Sequence, residues 1–177
     1  MINLNFTKFP ILTTERLRLR QLSHDDQLDI FALRSDAVIN KYLDRKPSTT
    51  VEDALRFIDN VNENIKKNTS IYWAITLTET NTLVGTICLY NFSTENNSCE
   101  VGYELKTNFQ GQGIMKEALE LVINYTFETL QFCEIIAFTH KENQQSTKLL
   151  TTLQFSQSED LLAENPDINI FKLARLN

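Results

Sequence analysis

Cys99-Glu100-Val101-Gly102-Tyr103-Glu104-Leu105, closely followed by Asn108-Phe109-Gln110-Gly111-Gln112-Gly113-Ile114-Met115, is the stretch that decides how this chain folds. The first part has the composition and two-residue alternation of a strand. The second part holds Gly111 and Gly113, two of only four glycines in the chain. Beyond them Ile114, Ala118, Leu121, Val122, Tyr125 and Leu130 recur at helical spacing, predicting a long amphipathic helix. Glycines at a strand-to-helix junction allow a tight turn and present backbone N–H groups to an anion at the positive helix end. A phosphate-bearing ligand fits such a loop, although a plain tight turn would use the same glycines. It is not a dinucleotide fingerprint, because Lys116 stands where GxGxxG needs glycine, and no Gly-Lys-Ser/Thr follows to make a P-loop.

Upstream, Ile71–Leu77 and 82–90 read as two further strands joined at Thr78-Glu79-Thr80-Asn81, with the polar run 93–98 leading into the third. Before them, Thr49 and Glu52 have capping-box spacing, and Val51, Leu55, Ile58, Val61 and Ile65 form one apolar stripe of a helix. An earlier helix starts near Ser23 and Asp26 and runs to about Arg34. Residues 14–22, with Arg16, Arg18 and Arg20 alternating with Leu17 and Leu19, predict an opening strand whose basic face is solvated or paired with acids. Downstream, 134–139 predicts a short apolar strand, a helix opens near Asn143, and two more strands lie around Phe155 and from Ile168 to Ala174. The expected fold is α+β: one domain spanning 1–177, with a mixed, mostly antiparallel central sheet flanked by about four helices.

In this order the motifs resemble the GNAT family of N-acetyltransferases, whose Gln/Arg-x-x-Gly-x-Gly/Ala loop opens the longest helix. Gln110 to Gly113 matches it, with Met115 at the final small position. Glu100-Val101-Gly102-Tyr103 and Phe109 to Met115 look most like the Rim-type ribosomal-protein N-terminal acetyltransferases. Asn143-Gln144-Gln145-Ser146 resembles the family's Asn-x-x-Ser, while Gln154-Phe155 stands where Gly-Phe is usual. The resemblance implies a GNAT-like fold that binds acetyl-CoA as cosubstrate through Leu105, Gln110, Gly111, Gln112, Gly113, Ile114, Met115 and Asn143. It also implies Ser146 as proton donor to the departing thiolate, with Tyr103 a weaker candidate, and Glu100 as the water-orienting base. Glu104, on the same strand face, is the other candidate carboxylate.

The implied reaction is direct attack of a primary amine on the thioester, most readily the α-amine of a protein N-terminus. That amine has a pKa of about 7.7–8.0 and needs little help to lose its proton. Polyamines, amino sugars and amino acids present the same nitrogen, and a CoA-binding sensor without turnover is the reading from another class. Seventeen Lys and Arg against 23 Asp and Glu leave a net charge of −6, which suits a cationic acceptor and excludes nucleic acid as the main partner. Cys88, Cys99 and Cys133 form no metal-ligand spacing. No apolar run approaches the roughly 18 residues of a membrane span, and the start lacks a signal-peptide pattern, so a cytoplasmic protein without a membrane partner is expected. A homodimer through the C-terminal strands is a further expectation from the resemblance.

Overall fold

The computed structural model describes residues 2, 4–159 and 165–176. Its centre is a mixed sheet of eight strands in the order β1-β2-β3-β4-β5-β6-β8-β7. The strands are β1 (Leu12–Thr13), β2 (Leu17–Arg20), β3 (Ile71–Leu77), β4 (Leu83–Ser93), β5 (Ser98–Leu105), β6 (Glu134–His140), β7 (Ser156–Gln157) and β8 (Ile168–Ala174). All neighbours pair antiparallel except β5 and β6, which are parallel because a helix connects them. The helices are α1 (Gln27–Ser35), α2 (Ala37–Asn40), α3 (Val51–Lys66), α4 (Ile114–Asn124) and α5 (Gln144–Thr152). Among the described residues no helix is long and apolar enough to cross a membrane.

Several expectations change in detail. The opening strand is two short ones, because the Thr14 amide bonds to the Leu17 carbonyl and the Thr14 hydroxyl accepts from the Leu17 amide, closing a turn. The capping box of α3 is Thr50 with Asp53, one residue beyond the expected Thr49 and Glu52. Asp53 wins because its carboxylate accepts from both the Thr49 and the Thr50 amides. The long helix after the glycines ends as α4 and continues as a π-helical stretch over Tyr125–Leu130. The short α2 was not expected; Asp36 starts it by accepting from the amides of Val38 and Ile39.

Leu17, Leu19, Trp73, Ile75, Ile87 and Leu89 form one buried face of the sheet's core, against which Ala118, Leu119 and Val122 of α4 are also buried. Trp73 meets the Tyr125 ring edge-on at 5.7 Å and donates its indole N–H to the Pro10 carbonyl. A side chain at Gly85 would put its Cβ 2.4 Å from the Glu104 carbonyl, so glycine is what lets β4 run this close to β5. That approach sets where the end of β5 lies.

Candidate active site

β5 and β6 are parallel partners only from Ser98 with Glu134 to Val101 with Ala137. Beyond this, Phe138, Thr139 and His140 pair with β8 alone, and the sheet opens into a split. The Lys106 amide bonds to the Val84 carbonyl. By antiparallel alternation, Gly102 and Glu104 direct their backbone groups to β4, whereas Tyr103 and Leu105 direct theirs into the split. The Leu105 carbonyl takes the Gln110 side-chain amide at 3.0 Å. A cleft of about 790 Å³ fills this opening, lined among others by Tyr103, Glu104, Leu105, Gln110, Gly111, Gly113, Ile114, Met115, Asn143 and Ser146.

Gly111 (φ 74°) and Gly113 (φ 75°) both adopt the left-handed conformation. Gly113 is the N-cap of α4 and has no side chain to satisfy the first amides of the helix. The loop is braced from behind: Arg16 donates to the Gln112 carbonyl at 3.1 Å and pairs with Glu117 at 2.5 Å, and the Thr14 hydroxyl also bonds Glu117. Burial pushes the Glu117 pKa up, but these bonds from Thr14 and Arg16 outweigh it and leave it lowered. Gln112 turns away, its side-chain amide on the Asn108 carbonyl, and is not among the residues lining the cleft.

Across the split, Asn143 caps α5 by accepting from the Ser146 amide at 3.2 Å. The Ser146 hydroxyl lies 2.7 Å from the Tyr103 hydroxyl, joining β5 to the head of α5. Burial pushes the Tyr103 phenol up to about 12, slightly offset by the bond to Ser146, so it stays protonated at neutral pH. The two hydroxyls form a hydrogen-bonded pair on the cleft wall.

Glu100 lies in the closed half of the sheet, opposite Tyr90 on β4 and Ile136 on β6. It is not among the residues lining this cleft. Glu104 does line the cleft, is 8% exposed, and pairs with Arg45 at 2.5 Å. Arg45 comes from the connection between α2 and α3, a region in which the sequence offered no motif. From α2 and this connection Val38, Ile39, Lys41, Tyr42 and Leu43 also line the cleft, and Tyr42 stacks on His140 at 5.3 Å. Residues 38–45 thus cross the opening, tied to β5 through Arg45 and to β6 through Tyr42. Cys133 lies at the other end of β6, where it accepts from Asn97.

A long ligand with amides and phosphates fits these residues. The open β5 edge can offer backbone groups to amides, the uncapped head of α4 and two side-chain-free turns can hold phosphate, and Lys116 and Lys148 also line the cleft. No group of three or more His, Cys, Asp or Glu side chains is gathered as for a metal ion among the described residues.

Residues 16–156 match the family model described as an acetyltransferase (GNAT) domain. The chain is 34% identical over 153 residues to the uncharacterized N-acetyltransferase p20 of Bacillus licheniformis, covering 86% of this chain and 85% of that one. It is 30% identical over 156 residues to the uncharacterized N-acetyltransferase YoaA of Bacillus subtilis, covering 88% of each. Among solved structures, RimL, a ribosomal L7/L12 α-N-protein acetyltransferase in complex with coenzyme A, shares the fold with a TM-score of 0.82 at 20% identity, over 93% of this chain and 98% of that one. A ribosomal-protein-S5-alanine acetyltransferase of Vibrio fischeri has a TM-score of 0.74 at 20% identity, over 93% and 96%.

Proposed function

Because the chain belongs to the GNAT acetyltransferase family, we propose that it moves the acetyl group of acetyl-CoA to a primary amine, foremost the α-amine of a protein N-terminus. The observation that carries this reading is the hydrogen-bonded pair Tyr103 and Ser146, facing a split whose rim is the Gly111–Gly113 loop. When bound, acetyl-CoA supplies a thioester activated toward an amine. Backbone groups at Tyr103 and Leu105 hold its amides in the split, and the head of α4 holds its phosphates. Asn143 keeps the Ser146 amide and hydroxyl in register with Tyr103. Ser146 donates a proton to the sulfur as the carbon–sulfur bond breaks, and Tyr103 replenishes or orients that proton.

On the acceptor side, Glu104 takes the place that Glu100 was expected to fill. Arg45 and Thr86 occupy two of the acceptor positions on its carboxylate, and others remain to orient an amine and take up its proton directly or through water. An α-amine with a pKa of about 7.7–8.0 is partly neutral at physiological pH, so this assistance suffices. A small amine is the second reading. It draws support from residues 38–45, which cross the opening and narrow the approach.

The test is mass-spectrometric detection of acetylated product from N-terminal peptides and small amines incubated with acetyl-CoA. Ser146→Ala is expected to lower kcat on the order of tenfold to a hundredfold while acetyl-CoA affinity changes much less. An unaltered kcat removes Ser146 from the mechanism. Binding of acetyl-CoA without acetylation of any amine replaces the enzyme reading with that of a sensor.

A further inference from the structure

Resting on the transferase reading above, we propose that the acceptor carries an apolar group beside its amine, and that Val38 and Leu43 receive that group while Glu104 faces the amine. Five large apolar side chains are exposed among the described residues: Ile11, Leu28, Val38, Leu43 and Leu176. Of these, Val38 and Leu43 are the two that line the cleft, the first 67% exposed and the second 39%. An apolar side chain exposed singly needs no explanation. Two in one segment lining a cleft form a surface that gains when something apolar covers it.

The segment that presents them is anchored, so their exposure is not the looseness of a free loop. At its start Asp36 accepts from the Val38 and Ile39 amides. The Asn40 side-chain amide donates to the Asp36 and Leu33 carbonyls at 2.7 and 3.2 Å, and its oxygen accepts from Arg45 Nε at 2.6 Å. Arg45, two residues beyond Leu43, meets Glu104 at 2.5 Å and so ties this segment to the carboxylate. Tyr42 is stacked on His140. A frame ordered before the ligand arrives loses little freedom on binding it. Of the segment's five lining residues, only Lys41 is charged, and its ammonium is engaged by its neighbour, donating to the Tyr42 hydroxyl at 3.0 Å. The rest of this wall is carbon: Val38, Ile39, Leu43 and the Tyr42 ring. An acceptor with one amine and an apolar neighbour matches both the carboxylate and the wall.

The apolar group has three sources: the side chain of a peptide's N-terminal residue, the side chain of the next residue, or the alkyl chain of a small amine. Matched acceptors separate them. One arm compares the peptide amides Leu-Ala-Gly and Ser-Ala-Gly, a second compares Ala-Leu-Gly and Ala-Ser-Gly, and a third compares pentylamine with 3-methoxypropylamine. In one arm the apolar member is expected to exceed its polar match in kcat/KM by about tenfold, the worth of covering a few methylenes; the arm that discriminates names the source. Joint replacement Val38→Ser and Leu43→Ser brings that ratio toward one, and Val38→Thr, which keeps the shape of valine, lowers it part of the way. Calorimetric titration with acetyl-CoA shows that each variant keeps a folded cofactor site; where the double variant loses that binding, Val38→Thr decides. Equal kcat/KM within every arm overturns this inference alone, as does an undiminished ratio in the folded variants. If no amine in any arm is acetylated, the transferase reading fails and this inference falls with it.

Discussion

Gln154 carries a backbone cost that its sequence neighbours do not advertise. It follows the last turn of α5 with φ 67°, the left-handed conformation glycine adopts readily. The Phe155 amide bonds to the Leu150 carbonyl and the Gln154 amide to the Thr151 carbonyl, the two bonds of a Schellman cap. The turn thus keeps the shape that Gly-Phe would give it, with glutamine strained in the glycine position. Gln154→Gly is expected to stabilise the protein by about 0.5–1 kcal/mol, the relief of strain less the extra entropy of glycine in the unfolded chain. The denaturant midpoint measures it, and a lower midpoint would show that the glutamine side chain matters more. At Gly113 the logic reverses. A β-branched residue there must take φ 75° at the point where the proposed cosubstrate's phosphate would approach the helix. Gly113→Val is expected to weaken acetyl-CoA binding on the order of tenfold or more, and unchanged affinity by calorimetry in a folded variant would reject the loop assignment.

Elements were legible where they were long and periodic. The α3 stripe, the β3–β4–β5 run and the glycine junction could all be read, because burying one face imposes its period on the sequence. Ends were harder. Thr49 and Thr50 precede Glu52 and Asp53, so two capping boxes compete one residue apart, and only three-dimensional geometry selects Asp53. Its carboxylate accepts from the Thr49 amide and hydroxyl at 2.8 and 2.9 Å and from the Thr50 amide at 3.0 Å, which holds its pKa well below the ordinary carboxylate value. A pKa lower in the folded than in the unfolded state gives a contribution that is fully present above about pH 4 and is lost as pH falls through the depressed folded value. The difference in denaturant midpoint between the wild type and Asp53→Asn is therefore expected to shrink as pH drops below about 4; a difference constant down to pH 2 would contradict it. The four residues of α2 could not be read at all, being too few for any period to show.

At the scale of the molecule, most of the segments that the sequence marks for a cosubstrate meet at one cleft, but the sequence does not show how the opposite side of that cleft closes. Arg45 with Glu104, Tyr42 with His140 and Arg34 over Phe57 join residues far apart in the chain, and no local spacing announces such pairs. The choice between Glu100 and Glu104 has the same origin. Strand alternation puts Glu100 and Glu104 on one face, and only the extent of pairing with β6 separates the closed half from the open one. The cysteines report on the molecule as a whole. Cys133 is exposed, whereas burial pushes the thiols of Cys88 and Cys99 up to about 12. A chromogenic thiol reagent is expected to titrate one thiol rapidly in the native protein and three after unfolding; rapid native reaction of two or more would mean that the sheet opens readily.

The four-residue ladder between β5 and β6 also acts as a spine. On one side of it stand β1 to β5, on the other β6 to β8, and among the described residues no other strand pairing connects the two leaves. Where the leaves part, the bond between the Tyr103 and Ser146 hydroxyls spans from β5 to the head of α5. Within this ladder Cys99, Val101, Ile135 and Ala137 are buried side by side, and none of them is on the cleft wall. A larger side chain at any of these four positions is therefore expected to alter the cleft from a distance, as the thickness of a binding governs how far a book will open.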